Sequence, residues 1–324
     1  ANHGSWVASL AAARGTGPGT GMIGVAPEAS LLAVSVGFGS SAKVPFADQI
    51  AEAIRWSVDN GADVINLSLT TNTPDWDESW DSAFLYAFEN DVVVVVAAGN
   101  RGSGTSRVGA PATIPGVLTV AGVDTAGDAS VEASTQGITL GVSAPSEDLV
   151  GVSADGRLVL WNGTSGAAPI VAGIAALVRS AHPELDANNV INRIIETARP
   201  PAGVTGGANP LLYGAGLVDA AAAVSASIPL VTSNPMGSLE DWIRLYRRAD
   251  SGPAAVPTAE PVEVAPLPPV DVATRAASPL LPSTDTLLYG TIPLMAGSAT
   301  AILVALGVTA AVRRIRLASR TPSR

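Results

Sequence analysis

Five consecutive valines at positions 92–96 narrow the choice of fold more than any other feature of the chain. Branched side chains in an unbroken run favour an extended backbone, and a strand that is apolar at every position needs cover on both faces. The run continues through Ala97 and Ala98 and stops at Gly99-Asn100. Residues 30–36, 64–69 and 117–123 are three further short apolar runs bounded by Gly, Asn or Asp, and read as buried parallel strands of the same kind. Helical patterns lie between them. Ile50, Ile54 and Val58 share one face of a segment that stops at Asn60-Gly61, and Trp76, Trp80, Phe84 and Phe88 recur every four residues. Asp75, Asp77 and Glu78 stand near the start of that second helix, where the helix dipole favours them. Its aromatic stripe reads as core packing. Alternating strands and helices predict a doubly wound α/β domain with a mostly parallel sheet, whose ligands sit beyond the carboxyl ends of the strands.

Composition then limits the chemistry. Cysteine is absent, which removes disulfides, thiolate metal sites and a cysteine nucleophile, and leaves serine as the candidate for covalent catalysis. His3 and His182 are the only histidines. A formal charge of −10, with a single lysine at Lys43, argues against a nucleic-acid partner, since neutralising phosphates takes clustered cations.

Three segments carry candidate reactive groups. Asn162-Gly163-Thr164-Ser165-Gly166-Ala167-Ala168-Pro169 crowds small residues around a serine just before the helical pattern Ile170, Val171, Ile174, Leu177, Val178. A serine at a helix start suits a nucleophile, because N–H groups and the dipole favour developing negative charge there. The segment alone fits an ordinary capping serine equally well. His3-Gly4-Ser5-Trp6-Val7-Ala8 begins a predicted helix and offers the base that a serine hydroxyl needs. Asn100 follows the valine strand after a glycine, and is either an amide donor to an oxyanion or a turn residue.

In the order His, Asn, Ser, these segments resemble the subtilisin-like serine proteases over residues 1 to about 226. Gly24-Val25-Ala26-Pro27, Val64-Ile65-Asn66-Leu67-Ser68-Leu69 and Gly214-Ala215-Gly216-Leu217-Val218-Asp219-Ala220 add to the match. The resemblance implies a three-layer subtilisin-like fold with a mostly parallel central sheet, no cofactor, and polypeptide substrates. It implies that Ser165 attacks the peptide carbonyl, His3 moves the proton, and Asn100 and the Ser165 N–H hold the oxyanion. Ser68, Leu69 and Thr70 would pair with substrate backbone, and Ala97, Ala98, Gly99 and Gly109 would line the first specificity pocket. Arg101 would stand on the rim of that pocket and disfavour basic substrate residues, or else point into solvent. Thr70 departs from the family's usual glycine, Gly166 from a larger residue, and Ser5 from threonine. His182, followed by Pro183, reads as structural. Family members often bind calcium, but no acid-rich loop for it is recognisable here, so no metal is expected. An aspartate orients the imidazole in this family and precedes the histidine by some tens of residues. Only two residues precede His3, so the chain is expected to be N-terminally truncated and poorly active as it stands. An α/β-hydrolase esterase is disfavoured, because Ala167 replaces the last glycine of G-x-S-x-G.

After this domain the composition shifts. Residues 227–286 are rich in Pro and Ala and read as a semi-rigid stalk, interrupted by a possible amphipathic helix over 238–248 whose Ser238 and Asp241 have capping-box spacing. Residues 287–312 hold no charged side chain over 26 positions, about 39 Å as a helix, enough to cross a hydrocarbon core of ~30 Å. A basic tail follows over 313–324, with Arg313, Arg314, Arg316, Arg320 and Arg324. Positive charge on that side places the tail in the cytoplasm and the large domain outside the membrane. The order of domain, stalk, helix and basic tail is similar to the mycosins, membrane-anchored subtilases of type VII secretion, which implies secretion-system components as partners. The alternative is a catalytically impaired subtilase scaffold that acts in binding or assembly of such a complex.

Overall fold

The computed structural model describes residues 2–38, 43–201, 207–247 and 286–318. It divides into two compact units, Ala1–Ala254 and Ala255–Arg324. In the first, helices α1 (Asn2–Ala12) and α2 (Phe46–Asp59) precede a sheet of four parallel strands, β1 (Val64–Leu67), β2 (Val93–Ala97), β3 (Leu118–Val123) and β4 (Leu140–Pro145), in that spatial order. Helix α3 (Ser79–Glu89) connects β1 to β2. An antiparallel hairpin of β5 (Leu149–Val152) and β6 (Leu158–Trp161) leads into the long helix α4 (Thr164–Ala181). Helices α5 (Ala187–Glu196), α6 (Pro210–Tyr213), α7 (Ala220–Ser225) and α8 (Leu239–Tyr246) complete the unit.

The valine run explains the layering. Because successive side chains of a strand point to opposite faces, Val93, Val95 and Ala97 enter a core shared with Val171, Ile174 and Val178 of α4 and with Val190, Ile191 and Ile194 of α5. Val92, Val94, Val96 and Ala98 enter a second core with Ile50 and Ile54 of α2 and with Trp80 and Phe84 of α3. None of the five valines is more than 3% exposed, so β2 is the shared spine of both cores. Burial at this level contributes about 1.5–3 kcal/mol per large apolar side chain.

Two expectations need correction. Residues 30–36 form no strand, because among the described residues no strand lies beside them and β1 is the last strand on that side of the sheet. Without a ladder partner their backbone groups face water, and Leu31, Leu32 and Val34 are exposed. Helix α3 begins at Ser79, not at Trp76. Asp77 accepts a hydrogen bond from the Ser79 N–H at 2.9 Å and turns the chain just ahead of the helix. Trp80 and Phe84 of the aromatic stripe are core residues and Phe88 packs beside them, while Trp76 stacks against Trp242 of α8 at 4.4 Å between ring centroids.

That last contact belongs to a segment running beyond the composition shift. Ser238 caps α8 by accepting from the Asp241 N–H at 3.1 Å, and Leu239 is buried in the α2/α3 core. Arg247 then donates to Asp81 at 2.8 Å and lies over the Trp76 and Trp242 rings, 5.7 and 5.3 Å from their centroids. Residues 227–247 therefore pack with the first unit. The Pro-rich stretch 248–285 and the tail 319–324 lie outside the described residues.

In the second unit a π-helical turn over Thr286–Thr291 enters α9 (Ile292–Ala318). The helical span Leu288–Arg314 is long and apolar enough to cross a membrane and buries no residue within the structure. Ser298 and Thr300 donate to the carbonyls of Leu294 and Ala296 at 2.7 and 2.8 Å, so their hydroxyls need no water. Helix α4, shorter at 18 residues and less apolar, is also long enough to cross a membrane, but it is mostly buried in the first unit and is a core helix.

Candidate active site

Helix α4 starts directly behind the carboxyl ends of β1 and β2. Its N-cap is Gly163, with no side-chain cap, so Ser165 lies within the first turn and has no capping duty. Thr164 is fully buried and ties this turn to the end of β2. Its hydroxyl accepts from the Gly99 N–H at 3.0 Å and donates to Asn100 Oδ1 at 2.9 Å, and its own N–H donates to the same oxygen at 2.8 Å. Two donors on one oxygen fix which way the Asn100 amide faces. Asn100 Nδ2 donates to no protein group among the described residues. Gly163, at a φ of 144°, makes room for it: a Cβ there would stand 3.0 Å from Nδ2.

Ser165 is tied to the end of β1 by a reciprocal pair. Its Oγ donates to the Ser68 carbonyl at 3.2 Å, and Ser68 Oγ donates to the Ser165 carbonyl at 2.8 Å. The second bond has a cause in the sequence. Pro169 stands four residues after Ser165 inside the helix and has no N–H to offer that carbonyl. Asn66 Nδ2 in turn donates to Ser68 Oγ at 2.9 Å.

His3 lies in the first turn of α1, which packs along α4 with Leu10 against Gly166 and Ala11 against Gly173. Two hydrogen bonds stitch α1 to the hairpin, from Trp6 Nε1 to Ser153 Oγ at 2.9 Å and from the Val152 N–H to Ser9 Oγ at 3.0 Å. The His3 ring stands edge-on to Trp161 and Trp6, at 5.8 and 6.3 Å between centroids. It keeps an exposed side, yet partial burial lowers its pKa below the ordinary imidazole value by disfavouring the charged form. Trp161 joins the two halves of the site, because its ring also closes the space beside Gly166. A Cβ at 166 would lie 3.2 Å from that ring and 2.2 Å from Leu149, which accounts for the glycine after the serine. Among the described residues the His3 ring makes no hydrogen bond, and the Ser165 hydroxyl is directed to Ser68.

The remaining predicted positions divide. Ala97 and Ala98 turn their side chains into the two cores, so only their backbone can face a ligand. Gly109 is pressed on the 71–73 backbone, where a Cβ would stand 2.0 Å from the Thr71 carbonyl oxygen. Arg101 is half-buried, and its guanidinium donates to the Ser134 and Ser130 carbonyls at 3.0 and 3.5 Å. His182 Nε2 meets the Val224 carbonyl at 2.7 Å, near the end of α7, in keeping with a structural role. Thr164, Trp6 and Trp161 did not emerge from the sequence as site residues. Thr164 sits inside the motif that flagged Ser165, but nothing in the sequence announces that an indole from β6 will meet α1.

The fold is an α/β domain with a parallel sheet, in which the first-turn serine of α4 and the side-chain amide of Asn100 lie at the carboxyl ends of β1 and β2. Comparison with known proteins gives the family. The family model described as "Subtilase family" matches residues 1–216, and the chain belongs to that family of peptidases. It is 37% identical over 223 residues to subtilisin DY of Bacillus licheniformis, covering 68% of this chain and 77% of the relative. It is 33% identical over 297 residues to mycosin-4 of Mycobacterium tuberculosis, covering 78% of this chain and 63% of the relative. The structure described as MycP1 from the ESX-1 type VII secretion system aligns at a TM-score of 0.61 with 30% identity, over 73% of this chain and 74% of MycP1. The chain spans 77% of the length of subtilisin DY and 55% of that of subtilisin E of Bacillus subtilis.

Proposed function

We propose that this chain is the catalytic part of a membrane-anchored, extracytoplasmic serine endopeptidase. Ser165 Oγ attacks the peptide carbonyl carbon while His3 takes its proton. The tetrahedral oxyanion accepts from Asn100 Nδ2 and the Ser165 N–H; collapse breaks the C–N bond, and His3 returns the proton to the leaving amine. Water then enters by the reverse route and hydrolyses the acyl-enzyme. The observation that carries this reading is the double hold of Thr164 on Asn100 Oδ1, which leaves the Nδ2 donor free beside Ser165. Helix α9 is the anchor, with Arg313 and Arg314 at its cytoplasmic end. The stalk over 227–286 begins, on this reading, only where the packing of residues 227–247 ends. The similarity to mycosin-4 and MycP1 supports a place beside secretion-system components.

Full-length protein in membranes is expected to cleave a fluorogenic peptide and to stay with the membrane through alkaline carbonate washing. The Ser165→Ala variant is expected to fall to background. Equal cleavage by Ser165→Ala would end the protease reading. One observation favours a second reading, a scaffold without turnover: the Ser165 hydroxyl bonds to Ser68, and His3 bonds to nothing among the described residues. An inert wild type whose secretion phenotype Ser165→Ala fully rescues would select it.

A further inference from the structure

Beyond Leu67 and Ala97 the chain continues from β1 and β2 as residues 68–71 and 98–100, with Ser165 beside both. On the protease reading, a substrate side chain reaching Ser165 would enter between these continuations, where two methyl groups stand over Gly99. Gly99 has a φ of 103°, and a Cβ on it would meet Thr105 Cγ2 at 2.9 Å and Thr70 Cγ2 at 3.1 Å. Both methyls are aimed by their hydroxyls. Thr70 Oγ1 donates to the Thr71 carbonyl at 2.9 Å, and Thr105 Oγ1 donates to Asn72 Oδ1 at 2.9 Å. Thr105 is 7% exposed, so moving its methyl aside costs repacking of the neighbours around it.

The walls are also fastened to each other. The Thr71 N–H donates to the Ala110 carbonyl at 2.7 Å, the Ala110 N–H donates to the Thr73 carbonyl at 2.8 Å, and the Gly109 backbone fills the remaining gap against Thr71. Widening the recess breaks this ladder. We infer that Thr70 and Thr105 close the recess over Gly99, so that the enzyme cleaves after residues with small side chains, Gly, Ala or Ser, and rejects Leu, Phe and larger ones. This rests on the protease reading and names its substrate class.

The test uses full-length protein and four peptidyl diphenyl phosphonates that differ only in the residue next to phosphorus: Ala, Val, Leu and Phe. A fluorophosphonate without a side chain is the reference. Wild type is expected to react with the Ala probe roughly 10- to 200-fold faster than with the Phe probe, the range one misfitting group commands in a tight pocket. The double variant Thr70→Ser/Thr105→Ser removes both methyls and keeps both hydroxyls with their hydrogen bonds, so the fold is retained. It is expected to shrink the Ala-to-Phe ratio about tenfold. Thr70→Val, which keeps a methyl of the same reach, is expected to preserve the ratio. A wild type that takes Phe as fast as Ala, or a double variant with an unchanged ratio, overturns the inference while fluorophosphonate labelling keeps the protease reading alive. Failure of every probe, the fluorophosphonate included, overturns both.

Discussion

Ser165 is held by hydrogen bonds, whereas His3, on the other side of Trp161, is held by packing. On the serine side, Thr164, Asn100, Ser68 and Asn66 form a chain of directed bonds that joins the ends of β1 and β2 to the first turn of α4. On the histidine side, two indoles flank the ring, and α1 is stitched to the hairpin through Trp6 and Ser9 rather than through His3 itself. Directed bonds fix atoms to a few tenths of an ångström, while aromatic contacts tolerate rotation about the side chain. On the proposed mechanism, the oxyanion half is thus preorganised and the proton-transfer half has freedom to turn.

The largest test of that contrast is Asn100. In subtilisin, a relative of this chain, removing the oxyanion asparagine costs roughly 10²–10³ in kcat. Asn100→Ala is expected to match that loss and also to lower Tm, because both Thr164 donors lose their acceptor. Asn100→Asp keeps the acceptor but not the amide donor, so steady-state kinetics should show the same kcat loss with Tm near wild type. An Asp variant with full kcat would place the oxyanion donor elsewhere.

Thr164→Val addresses the serine side without touching the donor. It strands the Gly99 N–H in a fully buried position, at a cost of about 1–3 kcal/mol, read as a Tm drop of several degrees. An unchanged Tm would mean the bond network is not what holds this turn.

The histidine side responds to pH. Catalysis needs neutral imidazole, and burial lowers the His3 pKa, so the acid limb of kcat/KM is expected below the ordinary imidazole value of ~6.5. Activity is lost as pH falls through that limb. Trp161→Ala opens the ring to water and is expected to move the limb upward, with kcat down about tenfold from looser positioning. A limb that stays in place would separate His3 from the indole cage. Arg247→Ala, remote from both halves, is expected to lower Tm by a few degrees through loss of its contacts with Asp81 and Trp242, and to leave kcat/KM and the pH limb unchanged.

Much of the fold was legible because local pattern and burial agree. The valine run, the Ile50/Ile54 face and the Ser238 cap each specify one outcome. Residues 30–36 have the same apolar character as β1 to β3 but form no strand, since strand identity needs a neighbour that composition does not reveal. The hairpin of β5 and β6 was missed although Asp155-Gly156 sits at its turn, where Ser153 bonds to Arg157 across residues 154–156 and Gly156 supplies the left-handed φ of 82°. For the proposed site, motif order singled out His3, Asn100 and Ser165. Motifs could not foretell that Arg101 folds back on Ser130 and Ser134, nor that Trp6 and Trp161 would cage the histidine. Those are long-range contacts, 29 to 33 residues apart for Arg101 and far more between α1 and β6.

Reaction of the full-length protein with a fluorophosphonate, followed by peptide mapping, tests the central assignment most directly. A single adduct on the peptide carrying Ser165, absent in Ser165→Ala and slowed in Asn100→Ala, is the expected result. An adduct on another serine, or undiminished labelling of Ser165→Ala, would contradict it.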